Sequence, residues 1–274
     1  MNRTEILKKM APIFMPVTKV KADTLLSGYL FNSDNDHFIQ VETPKGKRMV
    51  NNCSEDYTVI SNREIMVPFV DELLKTYTGM DVQVKQRKDA QFYVDFHLPG
   101  KQFKVVKKDD IIPRMRIQNS YNGRVKYAIE LGFLRLVCTN GMTVPAGFHG
   151  KIKMMHTPGA GEGLALKKSM EMLDTFIKSA PEIMAPYLKL SEQPVSNIEE
   201  RIAEIIENTK FPKRQAEEVL ARVNHEMALL KQPATDWLIY NGFNYQLNHN
   251  EAINTMEHKK DKIDESILLH LLGN

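Results

Sequence analysis

The chain has 274 residues, 42% of them hydrophobic and 26% charged, with a formal net charge of +3 and two cysteines. This is the balance of a globular protein, and no apolar run approaches the roughly 18–20 residues of a membrane span. Cys53 and Cys138 are too few for a disulfide framework or a four-thiolate zinc site.

The N-terminal MNRTEILKKMAPIF has neither an apolar h-region nor a small-residue cleavage site, so a cytoplasmic location is expected. Within it, Ile6, Leu7, Met10 and Phe14 predict a short amphipathic helix over Thr4–Phe14. LLSGYLF and HFIQVET read as strands separated by NSDND, and Pro44-Lys45-Gly46-Lys47 turns into a strand around Arg48–Asn51. Tyr57–Ile60 reads as extended. Ser61 or Asn62 then caps a helix over Glu64–Tyr77, with Gly79 as its stop.

Strand-like runs follow at Asp81–Lys85, Gln91–Leu98, Gln102–Val106 and Ile111–Ser120. Phe92, Val94 and Phe96 alternate with Tyr93, Asp95 and His97, which predicts a half-buried strand with one polar face. Asn122-Gly123 suits a two-residue hairpin turn, and the next strand is expected to stop at Asn140-Gly141. After the breaker-rich Thr157–Gly163 the pattern is helical: Leu164–Ser179, Pro181–Leu188, Ile198–Asn208, Pro212–Leu230, Thr235–Leu247 and Lys259–Leu272. Ser196-x-x-Glu199 reads as a capping box. The expected fold class is α+β: an antiparallel β-rich part (1–156) with an inserted helix, a linker (157–163), and a helical part (164–274).

Charge is unevenly placed. Gln83–His156 carries 14 Lys+Arg against 5 Asp+Glu, whereas Leu190–Asn274 carries 9 against 14. A basic sheet is the electrostatic footprint of nucleic-acid binding, and it is also how strands protect their edges. The binding reading selects Lys104, Lys107, Arg114, Arg116, Arg124, Lys126 and Arg135 as phosphate contacts, with Tyr121 in the hairpin turn as a base-stacking platform. Arg114 with Arg116, and Arg124 with Lys126, share strand faces by period-2 spacing.

Catalytic chemistry finds little support. The eight histidines show no His-Glu-x-x-His spacing, and no Cys-x-x-Cys, nucleophile-elbow or kinase pattern occurs. Gly159-x-Gly161-x-Gly163 lacks the Lys-Ser/Thr of a phosphate-binding loop and reads as a connector. Cys138 as a nucleophile would need a lowered pKa, which Arg135 on the opposite strand face does not supply. Neither an enzyme activity, a cofactor nor a metal site is expected. Trp237, Tyr240, Asn241, Asn244, Tyr245 and Asn248 recur at helical spacing, either as a packing ridge or as an interaction face.

The Asn119-Ser120-Tyr121-Asn122-Gly123 turn, the strand Arg135-Leu136-Val137-Cys138-Thr139-Asn140, His156-Thr157 and Trp237-Leu238-Ile239-Tyr240-Asn241 follow Cys53–Tyr57 and Ile60-Ser61-Asn62 in order. Together they resemble the "domain of unknown function 932" family, whose members are often labelled phage/plasmid-like. Family members tend to carry His-Asp-Gly where this chain has Tyr121-Asn122-Gly123. The resemblance implies a mobile-element origin and supplies no reaction. In architecture and charge the β-rich part also resembles single-strand annealing recombination proteins.

The expected function is therefore a non-enzymatic, nucleic-acid-associated protein of a phage or plasmid. Single-stranded DNA is the favoured partner, with self-association into a homo-oligomer and no membrane. The alternative is a protein–protein module, a virion component or a host-defence antagonist, docking a phage or host protein through the acidic helices and the Trp237–Tyr245 ridge.

Overall fold

Local capping chemistry starts the first helix. Asn2 accepts a hydrogen bond from the Glu5 amide while Glu5 accepts from the Asn2 amide, and this reciprocal box opens α1 (Arg3–Met10). A 3-10 turn at Ala11–Ile13 ends it. The computed structural model describes residues 1–25, 34–87, 90–100, 102–136, 140–142, 151–154, 162–253 and 257–273. The fold is mixed α+β, with antiparallel strands in the N-terminal part and helices in the C-terminal part.

The chain divides into two compact units that are not sequential. The first comprises Met1–Gly100, Met115–Leu131 and Lys151–Asp174; the second comprises Lys101–Arg114, Gly132–Gly150 and Thr175–Asn274. The expected linker falls on 157–161, outside the described residues, and on the start of a helix at Glu162.

In the first unit β1 (Val17–Lys21), α2 (Ala22–Leu25), β2 (His37–Thr43) and β3 (Gly46–Cys53) form an antiparallel meander with β2 central. Most of the strand expected at LLSGYLF lies outside the described residues, and Leu25 ends α2 instead. Between Ile39 and Gln40 the register to β3 shifts, so Val50 is an extra residue. Tyr57–Ile60 adopts no strand.

Helix α3 (Asn62–Thr76) opens on a second capping box, Ser61 with Glu64, and buries Ile65, Met66, Phe69, Val70 and Leu73. It ends at Thr76, and Gly79, with φ +74°, serves the turn into the next strand. β4 (Asp81–Arg87) and β5 (Gln91–His97) pair antiparallel with Val84 opposite Val94.

β6 (Phe103–Lys104), β7 (Asp110–Ser120), β8 (Tyr127–Arg135), β9 (Asn140–Met142) and β10 (Lys151–Met154) complete the strands. The order is β10-β8-β7-β5-β4, with β6 on β7 and β9 on β8. Each unit holds part of β7 and part of β8. Asn140-Gly141 does not end a strand as expected: it begins β9, with Asn140 opposite Arg135 and Gly141 opposite Leu134. The nine-residue β8 thus ends at Arg135, and the three-residue β9 pairs back antiparallel on its end.

A buried polar knot organises the first unit. The Tyr121 hydroxyl accepts from the Asn62 amide at 2.8 Å, and Asn119 Nδ2 donates to Ile60 O and to Asn62 Oδ1. Asn62 Nδ2 in turn donates to Ile13 O. Each amide is satisfied, which is the condition for burying it. The Tyr121 ring meets Phe92 edge-on at 4.9 Å.

Helix α4 is Glu162–Lys178. In the second unit α5 (Ala180–Ser191), α6 (Ile198–Asn208), α7 (Ala216–Leu230) and α9 (Glu257–Leu271) pack on α8 (Asp236–His249), which also contacts β9. The cap of α6 is Asn197, accepting from the Glu200 amide, one residue later than the expected Ser196 box. Thr235 caps α8, and Asp236 in its first turn holds Arg201 through two bonds of 2.9 Å. α8 is central: from Asp236 to Asn244 every residue is buried. A helix buried all round needs its polar groups paired, and Tyr240 Oη and Asn244 Nδ2 both donate to Asp264 of α9.

Candidate nucleic-acid interface

In the first unit the cationic residues sit on a loop and a strand edge. Residues 121–126 connect β7 to β8, so Arg124 and Lys126 belong to a six-residue loop and not, as expected, to one strand face. The loop is fixed from within. Asn122 Oδ1 accepts from the Arg124 amide at 3.2 Å, and Ser120 Oγ donates to Val125 O at 2.6 Å while accepting from the Val125 amide. Gly123 has φ +68°, and a Cβ there would lie 3.3 Å from Asn51 Nδ2, which places the loop against β3. Positive φ at Gly123 fits the Asn-Gly signal, although the loop is longer than a two-residue turn.

Arg124 and Lys126 are exposed and make no ion pair among the described residues. Lys47 and Arg48, also exposed, stand on the same β3 strand a few residues before Asn51. Lys47 lies 3.5 Å from Glu42, a solvent-screened contact of little strength. From the sequence Lys47 is expected in a turn and Arg48 at the start of a strand, and neither is selected as a phosphate contact. Their signal is the Lys45-Gly46-Lys47-Arg48 cluster, which precedes the basic segment Gln83–His156.

The other expected contacts divide by environment. Arg116 holds Asp95 through two hydrogen bonds of 2.7 and 2.9 Å, both side chains mostly buried. Tyr93 and Asp95 are themselves buried, so β5 lacks the open polar face that alternation predicts. Tyr121 is 1% exposed, and burial pushes its hydroxyl pKa upward; it is a core residue, not a stacking platform.

In the second unit Lys104 and Lys107 are exposed, with Lys104 3.4 Å from Asp110, and Arg114 is half-buried. Arg135 is fully buried and so cannot present its charge to a phosphate. Its Nε lies 2.7 and 2.8 Å from the two Asp109 oxygens and its Nη1 2.6 Å from Glu226 Oε2. Arg222 takes the other Glu226 oxygen at 2.8 Å, and Trp237 Nε1 donates to Asp109 at 2.8 Å. The Arg135 guanidinium stands 5.4 Å from the Trp237 ring centre.

The aromatic ridge is likewise internal. Trp237, Tyr240 and Asn241 are completely buried, and Tyr187 packs on both rings with centroids 5.7 Å away. Trp237, Tyr240, Asn241 and Asn244 pack helices within the unit, whereas Tyr245 is half-buried, stacking under Arg222 at 3.9 Å, and Asn248 is exposed. Cys53 is buried on β3, where burial raises its thiol pKa; Cys138 lies outside the described residues. Among the described residues there is no group of three or more potential metal ligands, and no helix long and apolar enough to cross a membrane.

The landmarks Asn62, Asn119, Tyr121, Arg135 and Trp237 thus belong to two buried structural centres, Asn62–Asn119–Tyr121 in one unit and Arg135–Trp237 in the other, while 137–139 and 156–157 lie outside the described residues. A family model described as "Domain of unknown function (DUF932)" matches residues 50–268 and so spans both. The chain belongs to this family. No curated protein and no solved structure matches it. The family match includes the loop with Arg124 and Lys126 but begins after Lys47 and Arg48.

Proposed function

We propose that the chain is a non-enzymatic, nucleic-acid-associated protein of a phage or plasmid, working in the cytoplasm of a bacterial host. It binds single-stranded DNA in recombination or replication and self-associates along the strand. The observation that carries this reading is the fixed 121–126 loop: two exposed cations without carboxylate partners among the described residues, on a loop that meets Asn51 of β3, the strand that also carries Lys47 and Arg48. A backbone-tracking surface needs such cations, preorganised and not already neutralised. Arg116 is committed to Asp95 and Arg135 to Asp109 and Glu226, so neither is part of the surface.

Gel-shift titration at low salt tests the proposal with single- and double-stranded oligonucleotides. The wild-type chain binds single strands with little sequence preference, and Arg124→Ala with Lys126→Ala weakens binding to all sequences alike. Absence of measurable binding to either form at low salt overturns the reading.

A further inference from the structure

In the second unit the end of α6, the segment through Pro212, Ala252–Ile253 and the first half of α9 line an open cleft of about 880 Å³. Sites for small molecules commonly measure roughly 300–1,000 Å³. Among the described residues the charged lining is three lysines, Lys210, Lys259 and Lys262, against one carboxylate, Glu207. All three lysines are exposed and none has an ion-pair partner among the described residues.

Helix stability accounts for only one of them. Lys210 follows the C-terminus of α6, where a cation is favoured by the helix dipole. Lys259 lies in the first turn of α9, where the dipole disfavours positive charge, and Lys262 lies one turn later, beyond the dipole's reach. At the α6 end, Asn208 Nδ2 and Thr209 Oγ1 donate to the carbonyls of Glu204 and Ile205. Two carbonyls that would otherwise repel an anion are therefore satisfied. Ile253, Ile263 and Pro212 add apolar surface beside the lysines, and Ser266 adds a hydroxyl.

We propose that this cleft binds a phosphate-bearing small molecule of mononucleotide size, its phosphate held by Lys259, Lys262 and Lys210 and its body resting on Ile253, Ile263 and Pro212. Lysine ammonium groups bind phosphate as point charges, and an apolar floor favours a ligand with a planar or apolar body over a bare ion. The site is separate from the DNA surface proposed above and does not depend on it.

Calorimetric titration of the full chain at low salt tests this with adenosine 5′-monophosphate, inorganic phosphate and adenosine. The monophosphate binds saturably, phosphate competes with it more weakly, and adenosine does not bind. Lys259→Gln with Lys262→Gln weakens the monophosphate at least tenfold, whereas the exposed pair Lys168→Gln with Lys189→Gln leaves it unchanged. All four lysines are solvent-exposed, and an unchanged thermal melt confirms that each variant folds. Should the cleft pair not fold, Lys210→Gln alone is read for the same loss. The proposal is overturned if neither phosphate compound binds, if adenosine binds as well as its monophosphate, or if the cleft variant binds like wild type. Oligonucleotide binding by the Arg124 and Lys126 variant is measured separately, so failure of either proposal is recognised by itself.

Discussion

Arg135 has two buried carboxylates to neutralise, and this decides how the second unit tolerates substitution. Asp109, Glu226 and Arg135 are all 0% exposed, so removing the guanidinium leaves Asp109 with only the Trp237 Nε1 donor among the described residues. Breaking a buried pair in this way costs about 3–5 kcal/mol, more than the pair itself contributes. Arg135→Ala is expected to lose about that much in urea unfolding followed by emission of the single tryptophan, Trp237. A loss below about 1 kcal/mol would mean that water reaches the carboxylates.

Buried tyrosines give a second prediction at this scale. Burial pushes the Tyr57 hydroxyl up to about 12. Tyr121, Tyr187 and Tyr240 are raised further, chiefly by burial, with the nearby Asp264 carboxylate reinforcing the last two. An unfolded tyrosine ionises near its ordinary value of about 10, so above that pH the folded state binds more protons than the unfolded state. Their contribution is intact below about pH 10 and falls as pH rises beyond it. Spectrophotometric titration should show these phenols ionising only as the chain unfolds; early, reversible ionisation of all nine tyrosines would contradict their placement.

At the scale of elements, close approach of α7 and α8 rests on one residue. A Cβ at Gly242 would lie 2.7 Å from Val223 Cγ2 and 3.2 Å from Val219 O. The side chain could shift but the carbonyl could not, so Gly242→Ala is expected to destabilise by about 1–3 kcal/mol despite the better helix propensity of alanine. A higher melting temperature in the variant would refute the tight crossing.

Most elements were legible because their signals are local. Phe92, Val94 and Phe96 mark β5 and lie in the core, Ile65, Phe69 and Leu73 follow helical spacing, and Ser61 caps α3. What escaped depends on partners far along the chain. Arg116 finds Asp95 across 21 residues, and Arg135 finds Asp109 across 26 and Glu226 across 91. No periodicity announces such pairs, so cations committed to the interior looked identical to cations on the surface. Asn140-Gly141 misled for a related reason: its turn propensity yielded to pairing with the end of β8. The family landmarks were legible as a pattern but not as a role, because buried amides and aromatics read like site residues until their partners are known.

For the whole molecule, the basic excess of Gln83–His156 overstates the charge available to a ligand. Of the residues it singled out, Arg116, Tyr121 and Arg135 are internal or paired, while Arg124 and Lys126 are exposed and have no ion-pair partner among the described residues. Those two carry the proposed contact to the strand, together with Lys47 and Arg48 from outside the basic segment. The most direct test is fluorescence anisotropy of a labelled single-stranded oligonucleotide over a salt series, comparing wild type with Arg124→Ala/Lys126→Ala. Each phosphate contact on a single strand adds about 0.7 to the slope of log K against log salt. The wild-type slope should therefore exceed that of the double variant by about 1.4, with affinity lost equally across sequences. Identical slopes, with wild-type binding intact, would show that the loop does not touch the phosphates and would contradict the interface.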